Sequence, residues 1–198
     1  MRRLIAFEHL SLDGYFVDRN GEMTWAKQDN DAEFNAFTTE NAMGGGVLLF
    51  GRVTYDLMVS FWPTPQASQS FPVVAERMQN SPKVVFSRTL KHASWNNTQL
   101  VGGDYGSRDN VTADLVTAVR NMKREPGEGM VILGSGSIVS QLAWAGLIDE
   151  FQIIINPIAL GGGGRTLFEG IRERLALQLT NSRVFRNGRV FLCYEPTA

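Results

Sequence analysis

The sequence is poor in the residues that build disulfides and metal centres. It holds one cysteine, Cys193, and two histidines, His9 and His92. A single cysteine excludes an internal disulfide and a cysteine-based zinc cluster. Neither histidine has ligand-type neighbours in the sequence, so both read as structural or surface residues, and no metal is expected. An excess of one charge is lacking as well. Lys and Arg number 19 against 20 Asp and Glu, a net charge of −1, which gives no broad basic field for nucleic acid. Long hydrophobic runs are also missing. Leu4-Ile-Ala-Phe7 is interrupted by Glu8 and His9. It is too short for a signal peptide or a membrane span, and the simple expectation is a cytoplasmic protein with no membrane partner.

What the chain does have is enough material for a core. Its 198 residues are 43% hydrophobic, which fits one globular domain over 1–198. No linker, repeat or low-complexity segment divides it. Apolar runs predict strands at Arg3–Glu8, Val47–Phe50, Lys83–Phe86, Gln99–Val101, Val131–Leu133, Phe151–Ile155 and Leu175–Thr180. Asn187-Gly188 between Val184-Phe185 and Val190–Tyr194 is a hairpin signal.

Helical patterns fall between the strands. Asn30-Asp-Ala-Glu33 has the form of a capping box, with Phe34, Ala36 and Phe37 as a core face and Gly44-Gly-Gly46 as the stop. A short helix follows Gly51, with Tyr55, Leu57 and Met58, and Phe61-Trp62-Pro63 breaks it. Pro72 suits the first turn of another, to about Gln79. Asp109 or Asn110 caps a helix through Lys123, with Val111, Leu115, Val119 and Met122 on one stripe. Ile138, Val139 and Leu142 start the last, which Gly146 ends. Strands alternating with helices predict an α/β domain with a mostly parallel central sheet and an antiparallel hairpin at one side.

Three of these strands end in small or basic residues: Phe50-Gly51-Arg52, Phe86-Ser87-Arg88 and Leu133-Gly134-Ser135. Ligands of open α/β sheets bind beyond the carboxyl ends of strands. If the three are parallel neighbours, one groove receives two arginines, two serine hydroxyls and two helix N-termini. Helix N-termini suit a pyrophosphate, and an arginine fork suits a further phosphate. The usual dinucleotide fingerprint is absent, since Gly134-Ser-Gly-Ser-Ile-Val139 has valine in the third glycine position. Gly161 to Arg165 lacks the Gly-Lys-Ser/Thr of a phosphate loop. Asp13-Gly14 is a turn signal among aromatics. Trp25 reads equally as a core anchor or as the wall of a ligand pocket.

Taken together, Gly51-Arg-Val-Thr54, Val85-Phe-Ser-Arg88 and Gly134-Ser-Gly-Ser137 resemble the successive cofactor-binding turns of dihydrofolate reductase. Ser11-Leu-Asp-Gly14, Leu147-Ile-Asp-Glu150, Pro157 with Leu160-Gly-Gly, and Leu167-Phe168 are similar to the C-terminal reductase domain of the bacterial riboflavin-biosynthesis enzyme, the RibD C-terminal domain family. The resemblance spans almost the whole chain.

The resemblance implies a dihydrofolate-reductase-like mixed sheet of about eight strands. It also implies NADPH as cofactor and a homodimer. The implied reaction is hydride transfer to a pteridine- or pyrimidine-like heterocycle, such as 5-amino-6-(5-phosphoribosylamino)uracil. By it, Gly51, Arg52 and Thr54 hold the pyrophosphate and adenosine side, and Ser87 and Arg88 the 2′-phosphate. Gly134, Ser135, Gly136, Ser137, Ile138 and Val139 cover the pyrophosphate and the nicotinamide end. Asp13 is the candidate catalytic group, and Tyr15, Trp25, Phe61 and Trp62 the candidate acceptor pocket. The riboflavin reductases carry glutamate before the glycine of the third turn, where this chain has Leu133. The alternatives are a nucleotide- or folate-like-ligand binding protein without turnover, and a flavin-binding reductase.

Overall fold

The computed structural model describes residues 1–26, 31–42, 44–102 and 108–197, the backbone alone over 108–114. Its centre is an eight-stranded sheet. In chain order the strands are β1 (Leu4–Ser11), β3 (Val47–Gly51), β4 (Lys83–Phe86), β5 (Thr98–Val101), β6 (Met130–Ile132), β7 (Glu150–Asn156), β9 (Leu177–Val184) and β10 (Val190–Pro196). In space they run β5-β4-β3-β6-β1-β7-β10-β9. The strands from β5 to β7 are parallel to their neighbours, and β10 and β9 close the far side antiparallel. This is the expected mixed, mostly parallel sheet with its terminal hairpin. A two-stranded ribbon that the sequence pattern did not reveal pairs β2 (Tyr15–Val17) with β8 (Arg165–Thr166).

Six helices fill the connections: α1 (Ala32–Ala42), α2 (Arg52–Phe61), α3 (Pro65–Ser70), α4 (Pro72–Asn80), α5 (Arg108–Arg124) and α6 (Gly136–Trp144). Helix α3 was not anticipated; Thr64 caps it by accepting from the Ala67 N–H. Asn30 of the expected capping box and Gly103 lie outside the described residues. The observed cap of α1 is Asp31, whose Oδ1 accepts from Phe34 N at 2.7 Å. Glu33 is drawn away to Arg183 at 2.9 Å, and Ala36 faces solvent rather than the core. Helix α5 is already helical at Arg108, so Asp109 and Asn110 lie inside it.

The sheet buries both faces. Leu4, Ala6, Met130 and Ile132 pack with Leu115 and Val119 of α5 and Leu142 of α6. Phe50 and Val85 pack with Tyr55, Met78 and Trp95. Phe34, Ile154, Phe185 and Phe191 form a third cluster beneath α1. Burial on both sides explains why the parallel strands read as continuous apolar runs. β1 runs on to Ser11, through Glu8 and His9, because its backbone pairs with β7 as far as Ser11↔Asn156. At the C-terminal hairpin, Leu177 to Val184 is one strand where the sequence suggested two pieces. Its turn closes by Gly188 N to Phe185 O at 3.0 Å, with Gly188 at φ 83°.

Among the described residues no helix is long and apolar enough to cross a membrane.

Candidate functional site

The sheet order makes β4, β3 and β6 consecutive parallel neighbours. Their carboxyl ends therefore meet, and a groove of about 360 Å³ opens beyond them. Gly51, Arg52, Ser87, Arg88, Ser135, Ser137 and Ile138 line it. The chain enters α2 at Gly51 and α6 at Ser135; no side chain caps either helix and neither first turn holds an acid. Both N-termini thus offer unsatisfied N–H groups and a partial positive charge. Among the described residues lining the groove, none is Asp or Glu.

Close packing builds these turns. A Cβ on Gly51 would collide with Ser135 Oγ, and one on Gly134 would lie 2.9 Å from Thr54 Oγ1. Gly134 also has φ 92°, a conformation other residues adopt with strain. Its carbonyl accepts from Gly51 N at 3.4 Å, tying the two helix entrances together. The Gly134–Ser135 peptide is cis.

The two arginines differ. Arg52 Nη1 donates to Asp56 Oδ2 at 2.9 Å, one turn along α2, and both side chains are about half exposed. Arg88 is exposed and forms no ion pair among the described residues. Ser87 shapes the turn beside it: its Oγ accepts from Leu90 N at 2.9 Å and Thr89 N at 3.2 Å, leaving the hydroxyl hydrogen to donate.

Back to back with the groove lies a larger cavity of about 580 Å³. Thr54 and Gly134, from the same two turns, are on its wall. Leu48, Met58, Trp62, Phe71, Met78 and Leu133 give it an apolar lining, and Asn35, Arg77 and Gln152 add polar groups. A large apolar space with few polar groups is the usual form of a small-molecule site.

Several expected site residues fall elsewhere. Val139 is fully buried in the core behind α6, and Gly136 packs against Phe16, its Cβ position 3.0 Å from Phe16 Cδ1. Neither lines the groove or the cavity. Of the four aromatics, Trp62 walls the cavity and the other three do not. Phe61 instead packs edge-on to Trp62, with ring centroids 5.2 Å apart. Trp25 donates from Nε1 to Glu22 O at 3.1 Å, while its neighbours Met23 and Ala26 reach the cavity. Tyr15 lies over the glycine loop, its Cδ1 2.9 Å from where a Cβ of Gly164 would stand. Glycine is required there by close approach.

Asp13 is also away from the cavity. It accepts from Ser11 Oγ at 2.6 Å, Gly161 N at 2.9 Å and Leu160 N at 3.1 Å. These donors, Ser11 first, hold its carboxyl below the ordinary value. Its position fastens the first turn to the glycine loop.

A buried carboxyl stands close by on β1: Glu8 borders the cavity, with its side chain on the opposite sheet face from Phe7 and His9. Ala6 pairs with Ile132, so Glu8 stands two residues further, level with Gly134. It is 3% exposed, and its Oε1 has no hydrogen-bond partner. Burial pushes this acid up to about 8, against a hydrogen bond from Gly134 N–H that pulls the other way. Beside it His9 is pushed down to about 4 by burial and by the charge of Arg189, opposed by its hydrogen bond with Asn156. At pH 7 both are neutral. The sequence carried a signal for Glu8: it falls on the same strand face as Leu4, Ala6 and Leu10, all buried.

A parallel sheet with ligand-type turns at three adjacent strand ends, and a terminal antiparallel hairpin, defines a dihydrofolate-reductase-like, reductase-type fold. The likeness extends to dihydrofolate reductase from Enterococcus faecalis, which is 15% identical with a TM-score of 0.58, over 99% of this chain and 97% of that one. A protein of Shewanella sp. PV-4 named for riboflavin biosynthesis is 26% identical with a TM-score of 0.65, over 99% of each chain. Protein YyaP of Bacillus subtilis strain 168 is 28% identical over 194 residues, 98% of this chain and 95% of YyaP. The RibD C-terminal domain model matches residues 2–191, and the chain belongs to that family.

Proposed function

We propose that the protein is an NADPH-dependent reductase that transfers hydride to a small heterocyclic acceptor. The observation that carries this reading is the convergence of two uncapped helix N-termini and Arg88 in one groove whose described lining holds no acid, back to back with an apolar cavity. The residues fit the cofactor. The N–H groups of α2 and α6 suit a pyrophosphate, with the Ser135 and Ser137 hydroxyls, 3.1 Å apart, beside them. Arg88, with no ion-pair partner among the described residues, and the free hydrogen of Ser87 suit a 2′-phosphate. Arg52, at the start of α2, serves the pyrophosphate side after releasing Asp56, an exposed pair of little intrinsic strength. The E. faecalis reductase of the same fold holds NADP(H), which supports the assignment. The bound nicotinamide supplies the hydride.

The chain's own residues do the rest. Thr54 and Gly134, shared between the turns and the cavity wall, set the point where the groove opens on the acceptor. Leu48, Met58, Trp62 and Leu133 exclude water from it. Leu133 replaces the glutamate of the riboflavin reductases at this turn, so the acceptor is a heterocycle other than their phosphoribosylamino-pyrimidine.

Titration with NADPH and NADH, followed by tryptophan quenching, tests the reading. NADPH is expected to bind more tightly, and Arg88→Ala to lose about 10- to 100-fold of that preference, the size of one charge-assisted contact. If neither nucleotide binds, the proposal is defeated.

A further inference from the structure

His9 is the polar side chain of β1 that does face the cavity. Ile5, Phe7 and His9 alternate onto the sheet face opposite Leu4, Ala6 and Leu10, and all three line the cavity. His9 lies three residues past the Ala6↔Ile132 pair, at the carboxyl end of the sheet, with Gly134 on the same wall. Its ring is held edge-on between Phe7 and Phe34, with centroids 5.7 and 6.3 Å away and planes at 86° and 89°.

A chain of hydrogen bonds behind the ring fixes its proton. Arg189 Nε, which can only donate, donates to Asn156 Oδ1 at 3.0 Å. Asn156 Nδ2 faces Leu10 O at 3.1 Å and Ile154 O at 3.3 Å, which can only accept. The amide is therefore held in one orientation; turned over, it would set oxygen against oxygen and NH₂ against guanidinium. The same Nδ2 lies 3.4 Å from His9 Nδ1. An amide nitrogen offers no lone pair, so Nδ1 can accept from it but not donate, and a neutral ring carries its hydrogen on Nε2. Burial and the charge of Arg189 keep the ring neutral, pushing it down to about 4. Nε2 has no hydrogen-bond partner among the described residues, and it is not one of their sealed, unmet atoms. It opens on free space, and the free space against His9 is the cavity.

A ligand atom that meets this N–H has to accept. A ligand N–H would face another N–H. A carboxylate or phosphate would lose its water against an apolar wall in return for one uncharged donor. We propose that His9 sets the class and orientation of the acceptor: its fixed Nε2–H holds the carbonyl oxygen of an uncharged heterocycle. The inference rests on the reductase reading above, in which the cavity receives the acceptor. His9 binds and transfers no proton. A donor on one carbonyl turns one edge of a flat ring toward β1, and so selects the ring atoms presented to the hydride.

The test uses the whole protein labelled with ¹⁵N-imidazole histidine. The chain holds two histidines, and the His9 signals are those lost in His9→Phe. At pH 7 the hydrogen is expected on Nε2 and not on Nδ1. Adding pteridine-2,4-dione to the NADP⁺-loaded protein is expected to shift Nε2. 2,4-Diaminopteridine, the same ring with amino groups in place of the carbonyls, is expected to bind about 10-fold more weakly. His9→Phe is expected to bind NADPH as the wild type does and the dione about 10-fold more weakly, the size of one uncharged hydrogen bond. His9→Gln restores an N–H and is expected to recover most of that loss. A hydrogen on Nδ1, an Nε2 signal unmoved by the dione, or equal binding of the two rings overturns the proposal. So does undiminished dione binding in His9→Phe, or a His9→Gln as weak as His9→Phe. If the wild type binds NADPH and any of these occurs, the His9 assignment fails alone. If NADPH does not bind, the reductase reading fails and this assignment with it.

Discussion

Replacing Glu8 by glutamine removes a buried acid from the sheet with little change of shape, and the effect on stability is large and pH-dependent. In the folded chain burial pushes the Glu8 carboxyl from its ordinary 4.5 to about 8. Below pH 4.5 the acid is neutral in both folded and unfolded chains, and the wild type loses nothing. Between 4.5 and about 8 the unfolded chain releases a proton that the folded chain keeps, so folding weakens as pH rises. Each pH unit costs about 1.4 kcal/mol, and the whole window on the order of 5 kcal/mol. His9 acts in the opposite direction. Its value falls from 6.5 to about 4 on folding, so its contribution is complete above 6.5 and is lost as pH falls through about 4. From this pair alone, wild-type stability is level between pH 4.5 and 6.5 and then falls by about 2 kcal/mol toward pH 8. In Glu8→Gln only the His9 slope remains: stability rises from pH 4 to 6.5 and then stays level. Urea unfolding of both proteins at half-unit steps from pH 4 to 9 measures the difference. Parallel curves for the two proteins would falsify the claim that Glu8 is held neutral by the fold.

Tyr55→Phe removes the hydroxyl that accepts from Trp95 N at 2.9 Å in the core and strands that N–H. The expected loss is about 1–3 kcal/mol by denaturant unfolding, with no change in nucleotide affinity. Gly134→Ala places a methyl 2.9 Å from Thr54 Oγ1 at a backbone φ of 92°. It is expected to cost about 1–3 kcal/mol and to weaken NADPH binding as well, because the turn joins both helix entrances; unchanged binding in a folded variant contradicts that role. Asp13→Ala releases the N–H groups of Leu160 and Gly161. Limited proteolysis is expected to cut faster within Gly161–Gly164, and an unaltered cleavage rate would show that the loop is held by other contacts.

The two buried neighbours on β1 show how the sequence can mislead. Glu8 and His9 looked like the end of an apolar run, because polarity at two successive positions usually marks a strand leaving the core. Pairing with β7 continues to Ser11↔Asn156, so both are carried inside. Asp13 drew notice as a carboxylate near aromatics. Its oxygens in fact accept from Ser11, Leu160 and Gly161, the last two nearly 150 residues away in sequence. A contact that distant leaves no local pattern. Trp62 could be read as a pocket wall and Phe61 could not be told from it, since adjacent residues of a helix end point in different directions.

The sequence by itself determined the order of the main-sheet strands and of five of the helices, because alternating apolar periods, glycine stops and proline starts are local; it left out β2, β8 and α3. It also determined the three turns at Gly51, Ser87 and Gly134, where small residues permit close backbone approach, and the terminal hairpin at Asn187-Gly188. Only the tertiary structure decided that β4, β3 and β6 are adjacent, which makes three separate turns into one groove. It alone sorted that list, sending Val139 and Gly136 into the core and Thr54 and Gly134 to the wall of the apolar cavity. It alone placed Glu8 level with Gly134, since the register between β1 and β6 joins residues more than 120 positions apart. The reason is that propensity and turn chemistry act over a few residues, whereas burial and the ionisation it dictates depend on what the rest of the chain brings alongside.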